Sequence, residues 1–463
     1  MVGYFSENDS TIRLHEVTGL SMKKLIEKNL SLSHGDRLLL ASFLLITGML
    51  LLPYSKAFSL GSHDEAGQEL SLNTALALAV QFHPMLSARQ REYQAAIADL
   101  SAAKWSRFPS AGLSLQGFKN DDDDENILNQ EVLTVSQPIW TGGQLTGKIS
   151  LAKAKRDAAQ FSIVDAEQEI LEETILAFFE VLKATERLDI SLSDVAEHER
   201  LYGIIQRRVE ASTSPDVDLK LARARVAFSR SQALQNSSLL ETARANLEQL
   251  IGQKVNHVSP PEFDESQVLH LNEALEKGVS FSPAIQKIRL EILGLAASVK
   301  VSRSALFPQL SIGYRKRYGT LRSDQENEDV FIGLEYQTGA GLSSRSSVKS
   351  SQSRKKAMQD TLSALEREIR RKIQIIWQDL SASRLQLSPT ELLVDSTSAI
   401  VESYLRQYTV GRKSWLDVLN AQRELVQARL SLVEYQTALH TSYFRLSALV
   451  GDLTKKTVVT QSE

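Results

Sequence analysis

The 463-residue chain contains no cysteine. That excludes a disulfide framework, Cys-ligated zinc, iron–sulfur clusters, a thiol nucleophile and a lipid-modified cysteine at a processed N-terminus. Glycine and proline are sparse, at 22 and 10 residues, which argues against sandwiches and glycine-hinged α/β sheets. Aromatics make up only 6%. A mean hydropathy of −0.19 excludes a polytopic helical membrane protein, but not a β-barrel, whose strands are apolar on one face only. Neither sign of charge dominates: the formal net charge is −3, so nothing points to nucleic acid as a partner. Catalytic signatures are missing too, since no His-Glu-x-x-His, Gly-x-Ser-x-Gly or phosphate-binding Gly-Lys motif occurs and the eight histidines are scattered. No enzymatic activity, cofactor or metal site is expected. Gln, Glu, Lys, Arg and Ser are plentiful instead, and point to long helices.

One strongly apolar run is present, about 15 residues between Arg37 and Pro53, short for a membrane span. Lys23, Lys24, Lys28 and Arg37 precede it, and Ser55-Lys56-Ala57 follows with small residues where a signal peptidase reads them. This is the pattern of a secretory leader over 1–57, with an N-terminal anchor as the alternative. The mature chain is expected to begin near Phe58, and Met22 reads as a better start than Met1.

The remainder is one unit written twice. Leu72-Asn73, Phe82, Pro84, Phe108-Pro109, Asp218, Ala222 and Leu250-Ile251-Gly252 recur as Leu271-Asn272, Phe281, Pro283, Phe307-Pro308, Asp417, Ala421 and Leu449-Val450-Gly451, each 199 residues on. The expected organisation is a first repeat over 58–252, a linker over 253–270 carrying Pro260-Pro261, a second repeat over 271–452 and a tail over 453–463. Each repeat contains a proline-poor helix about 65 residues long, roughly 145–208 and 345–409. Val181, Leu188, Val195, Tyr202 and Val209 are spaced by seven, as are Leu380, Leu387, Val394, Val401 and Tyr408, which predicts coiled-coil packing. Pro389 predicts a kink or break in the second long helix. Shorter helices over 84–107, 215–251, 283–306 and 414–450 flank the long ones.

Alternation replaces heptads ahead of each long helix. Leu310, Ile312 and Tyr314, then Val330, Ile332, Leu334 and Tyr336, fall on every second position, and the first copy alternates more weakly, at Leu113, Leu115 and Phe118 and then from Val132 to Gln137. Two hairpins are predicted, over about 110–139 and 309–337, with acidic tips at 120–126 and 323–329 that read as solvated loops or, alternatively, as weak calcium- or lipopolysaccharide-bridging sites. Four strands cannot close a barrel, and open edges invite pairing. Three chains would give twelve strands, closed in an outer membrane and continued by a cylinder of helices.

These features resemble the TolC family of outer-membrane efflux proteins over about 72–452: the leader, the duplication, the helix–hairpin–long helix order, the Phe-Pro step before strand one, and Ser136-Gln137-Pro138-Ile139-Trp140-Thr141-Gly142-Gly143 after strand two. The resemblance implies a mainly α fold with a small β part: a homotrimer with a twelve-stranded outer-membrane barrel and a periplasmic α-helical tunnel in a Gram-negative bacterium. It also implies contact with outer-membrane lipid, a periplasmic adaptor (membrane fusion) protein and an inner-membrane ABC or other transporter. The absent lipobox cysteine and the Gln-Pro-Ile-Trp-Thr-Gly-Gly run look more like the type I secretion branch.

Site residues follow from the same resemblance. Val410, Gly411, Arg412 and Ser414, with Ala211 and Ser212 in the first copy, match the adaptor-docking tips, and Ala211 stands where glycine is expected. Asp417 and Asn420 match a periplasmic constriction whose second carboxylate is here an amide. Asp218, Tyr408 and Lys413 match a helix latch, with plain seam packing as the competing role of Tyr408. Alternatives to type I secretion are multidrug or small-molecule efflux and a pore-free periplasmic coiled-coil scaffold.

Overall fold

The computed structural model describes residues 69–119, 127–262, 268–319, 326–337, 339–341 and 343–453. The leader with its two possible starts, the tail after 453, the first acidic hairpin tip and residues 323–325 of the second lie outside the described residues.

The first copy runs α1 (Leu72–Phe82), α2 (Pro84–Trp105), β1 (Ser110–Lys119), β2 (Ile127–Trp140), α3 (Gln144–Glu210) and α4 (Asp216–Ile251). The second runs α5 (Leu271–Phe281), α6 (Pro283–Ser304), β3 (Gln309–Gly319), β4 (Glu328–Glu335), α7 (Ser343–Thr409) and α8 (Trp415–Val450). Each helix has the same length as its counterpart: 11, 22, 67 and 36 residues. Repeat markers fall within α1 and α5, but no helix is expected there from the sequence. Ser71 opens α1 by accepting the Thr74 N–H, and Pro84 and Pro283 begin α2 and α6, where the missing N–H has no helical partner to lose.

At 1.5 Å per residue, α3 and α7 are each about 100 Å long. Of the kink or break expected at Pro389, the break does not occur, and α7 continues through it. Proline removes the bond to the carbonyl of Leu385, and Leu385 lies on the exposed side of the helix, where water can satisfy that oxygen. The heptad seam faces inward. Val181, Leu380, Val401 and Tyr408 are buried, while Leu188, Tyr202, Val209, Leu387 and Val394 pack against the same clusters. The largest core gathers Leu72 and Leu76 of α1, Phe178 and Phe179 of α3, Leu247 and Ile251 of α4, and Phe444 of α8.

One ionic cluster ties the copies together. Glu172 on α3 accepts from Lys372 Nζ on α7 at 2.6 Å and from Arg445 on α8 at 2.8 Å. Burial pushes the Glu172 carboxyl up, but the hydrogen bonds and charges of Lys372 and Arg445 outweigh it and hold the group below the ordinary glutamate value.

The strands form one antiparallel sheet in the order β1-β2-β3-β4. Beyond Ser136, β2 pairs only with β3, and the register slips between Pro138 and Trp140. A proline with no N–H to give is accommodated at such a bulge. The two hairpins share a register: Ser114 faces Val132 in the first, and Gly313 faces Phe331 in the second, at positions 199 apart. A Cβ on Gly313 would lie 2.3 Å from the Phe331 ring, so that ring occupies the space glycine leaves. The opposite face carries Leu115, Val330, Ile332 and Leu334, which are 72%, 72%, 75% and 70% exposed. A row of large aliphatic side chains this open to solvent on a sheet requires a lipid or protein covering. Trp105 and Phe108, at 5.0 Å, and Trp140 and Phe307, at 6.2 Å, mark the junctions between helices and sheet, where an interfacial aromatic girdle belongs.

Candidate functional site at the helical tips

The far ends of the long helices turn back at 211–215 and 410–414, and the two turns meet. Leu201, Ile205, Ala222, Tyr408, Trp415, Val418 and Leu419 form one buried cluster from α3, α4, α7 and α8. The Tyr408 and Trp415 rings pack at a tilt with centroids 5.6 Å apart.

Both turns end their helices in the same way. The Thr213 N–H donates to the Arg208 carbonyl at 2.8 Å, and the Arg412 N–H donates to the Gln407 carbonyl at 2.9 Å. These six-to-one bonds require a left-handed residue just before the donor. Gly411 supplies it at φ 76 and Ser212 at φ 58. Ala211 has an ordinary φ of −79, so the counterpart of Gly411 is Ser212, not Ala211. Shifting 411 back by 199 would have located it. Among the described residues Ser212 is the only non-glycine at positive φ, a conformation that costs an L-residue about 1–2 kcal/mol.

The return helices start differently. At α8, Ser414 and Asp417 form a reciprocal capping box: the Asp417 N–H donates to Ser414 Oγ at 3.2 Å, and the Ser414 N–H donates to Asp417 Oδ2 at 3.0 Å. The backbone N–H of Ser414, then its hydroxyl, then the nearby Lys413 charge hold the Asp417 carboxyl below its usual value. Asn420, one turn on, is exposed. At α4, Pro215 occupies the cap and no side chain closes it.

Among the described residues no hydrogen bond or ion pair joins any two of the three latch residues. Tyr408 Oη lies 3.3 Å from Ser214 Oγ, and Lys413 Nζ sits 4.3 Å over the Tyr404 ring. No hydrogen bond joins Asp218 to either among the described residues. The contact between the tips runs through Arg208, which the sequence reading missed. Its guanidinium lies 4.8 Å over the Tyr408 ring, and it donates to Ser214 Oγ and to the Thr409 carbonyl, each at 3.3 Å. Only its place beside Val209, the last residue of the seam, hinted at this role. Val410 and Arg412 project from the second tip and are exposed.

The profile of the outer membrane efflux protein family matches residues 75–253 and again residues 274–452. The chain belongs to that family. Its fold matches the outer-membrane channel OprN with a TM-score of 0.72 at 17% identity, over 82% of this chain and 89% of that one. Among curated proteins it is 25% identical to the cobalt-zinc-cadmium resistance protein CzcC of Cupriavidus metallidurans, over 79% of this chain and 86% of the relative. It is 21% identical to the alkaline protease secretion protein AprF of Pseudomonas aeruginosa, over 73% of this chain and 72% of the relative. Membership makes the protein a TolC-type outer-membrane channel of tripartite export systems. The protein is an outer-membrane one, and its helices form the periplasmic tunnel.

Proposed function

We propose that three copies of this chain close a twelve-stranded barrel and that its joined helical tips dock on a periplasmic adaptor fed by an inner-membrane transporter, with type I protein secretion as the service performed. One observation carries the reading: an unpaired four-stranded sheet with a bare aliphatic face is continuous with two helices of equal length that end in a single packed tip. In this reading Val410, Gly411, Arg412, Ser414 and Ser212 form the adaptor surface, with Ala211 beside them. Asp417 and Asn420 ring the narrow end of the tunnel, and Asp218 reaches Tyr408 or Lys413 of a neighbouring copy. The protein performs no chemistry on its cargo.

The absence of cysteine and the Gln137-Pro138-Ile139-Trp140 exit from β2 support secretion, as does the likeness to AprF. Metal or small-molecule efflux is the second reading, supported by the higher identity to CzcC. Deleting the gene separates them. Loss of one large secreted protein with unchanged tolerance of zinc, cadmium and dyes supports secretion. Sensitivity to those agents with an intact secreted proteome supports efflux.

A further inference from the structure

The two long helices leave the sheet carrying positive charge that the fold does not use. Residues 144–160 and 343–360 hold nine Lys and Arg against Asp157 and Asp360. Lys148, Lys153 and Lys155 on α3, with Arg345 and Lys349 on α7, are exposed. None of the five has a carboxylate partner among the described residues, and the one ion pair along these stretches joins the neighbours Arg156 and Asp157. One of the five, Arg345, lies in the first turn of α7, the wrong end for helix stability. Both helices lack acidic residues in the first turn, and a cation near a helix N-terminus opposes the macrodipole. On α2 and α6, by contrast, Lys104 and Arg303 sit in the last turn, where the dipole welcomes them.

Position supplies what the helix does not. α3 starts four residues after Trp140, at the aromatic girdle, so Lys148 and Lys153 lie within about 15 Å of the helix start by helical rise. Helical side chains lean toward the N-terminus, which here is the membrane. Long cationic side chains can then place their charge at headgroup level.

We propose that this basic collar binds the anionic glycerophospholipid headgroups of the inner leaflet of the outer membrane, so that phosphates neutralise Lys148, Lys153, Arg345 and Lys349. The anionic surface would fix how deep the channel sits and which lipids surround it.

The test uses the full chain reconstituted in vesicles and compares spin-labelled phosphatidylglycerol with phosphatidylcholine at the protein surface. The wild-type protein should prefer phosphatidylglycerol by about five-fold, the ratio expected for about 1 kcal/mol from each cation near the surface, and high salt should erase the preference. Replacing Lys148, Lys153, Arg345 and Lys349 by Gln should bring the ratio near one. The same change at Arg370 and Arg371, farther down α7, should leave it unchanged. No preference in the wild type, a preference indifferent to salt, or one that survives the four substitutions would overturn the proposal. So would a variant with altered ion selectivity and unaltered lipid preference, because the cations would then line the tunnel and meet anionic cargo. Should the variant fail to insert, the salt dependence of the wild type still decides.

Discussion

The two copies agree wherever the chain must span a distance and differ wherever it must fit a neighbour. Helix lengths are identical pair by pair, whereas the tips and hairpins have diverged in detail. In the first tip a strained serine and an uncapped proline turn the chain. In the second a glycine and a capping box do the same work. In the hairpins, volume has moved across the strand pair: a small serine beside valine in one copy corresponds to no side chain beside phenylalanine in the other. Backbone path is therefore the shared quantity, and side-chain volume and strain are redistributed around it.

The largest effect is expected on the aliphatic face of the sheet. Ile332→Arg, farther into the sheet than the girdle at Trp140, should cost about 2–4 kcal/mol toward the bilayer midplane, while Gly333→Ser on the opposite face should be tolerated. Equal losses in urea unfolding of the reconstituted protein would show the facing to be wrong. Next is the cross-copy ion cluster. Glu172→Gln should cost about 1–3 kcal/mol, below the full value for a buried pair because Lys372 is 43% exposed. Since the folded carboxyl is held below its ordinary value, this contribution is complete above about pH 4.5 and disappears as pH falls through the folded value. The variant's stability should accordingly fall less than wild type on acidification, as melting at several pH values would reveal.

Transplanting the strand pair tests the idea of moved volume. Gly313→Ser alone should cost about 1–3 kcal/mol by overpacking, and adding Phe331→Val should recover much of it, since the pair then matches Ser114 and Val132. Additive losses in a double-mutant cycle would refute compensation. At the tips, Ser212→Gly should stabilise by about 1 kcal/mol through relief of its left-handed conformation. Gly411→Ser should cost a similar amount. Gly411→Val should cost more and abolish transport while the protein remains folded in the membrane. The smallest effect is expected at Asp417→Asn, because the amide oxygen can still accept the Ser414 N–H. Its signature is a drop in cation preference in planar bilayers at low salt, and unchanged selectivity would remove Asp417 from the constriction.

Much of this architecture could be read before any coordinates. The 199-residue offset and the heptads located both long helices within two residues at each end, because sustained periodicity averages over local exceptions. Alternation located both hairpins for the same reason. α1 and α5 escaped because 11 residues give too few turns for a period to stand out, and their stability comes from burial against the long helices. At the tips, motif matching favoured Ala211, while the backbone places the left-handed residue at Ser212. That requirement belongs to the turn's hydrogen bonds and not to residue type. Arg208 was invisible because its partners are a ring, a hydroxyl and a carbonyl about 200 positions away or across a turn.

Equal helix lengths also constrain how such a gene can change. Adding one residue to α3 would rotate everything beyond it by about 100° and advance it by 1.5 Å. Arg208 would then swing off Tyr408 and the seam would leave its groove, unless α7 acquired the same insertion. Point substitutions are accommodated locally; length changes are not, except as matched edits in both halves. The constant offset from residue 72 to residue 452 is what such a rule leaves behind: two halves free to drift in composition, but held in step by the length of the structure they build.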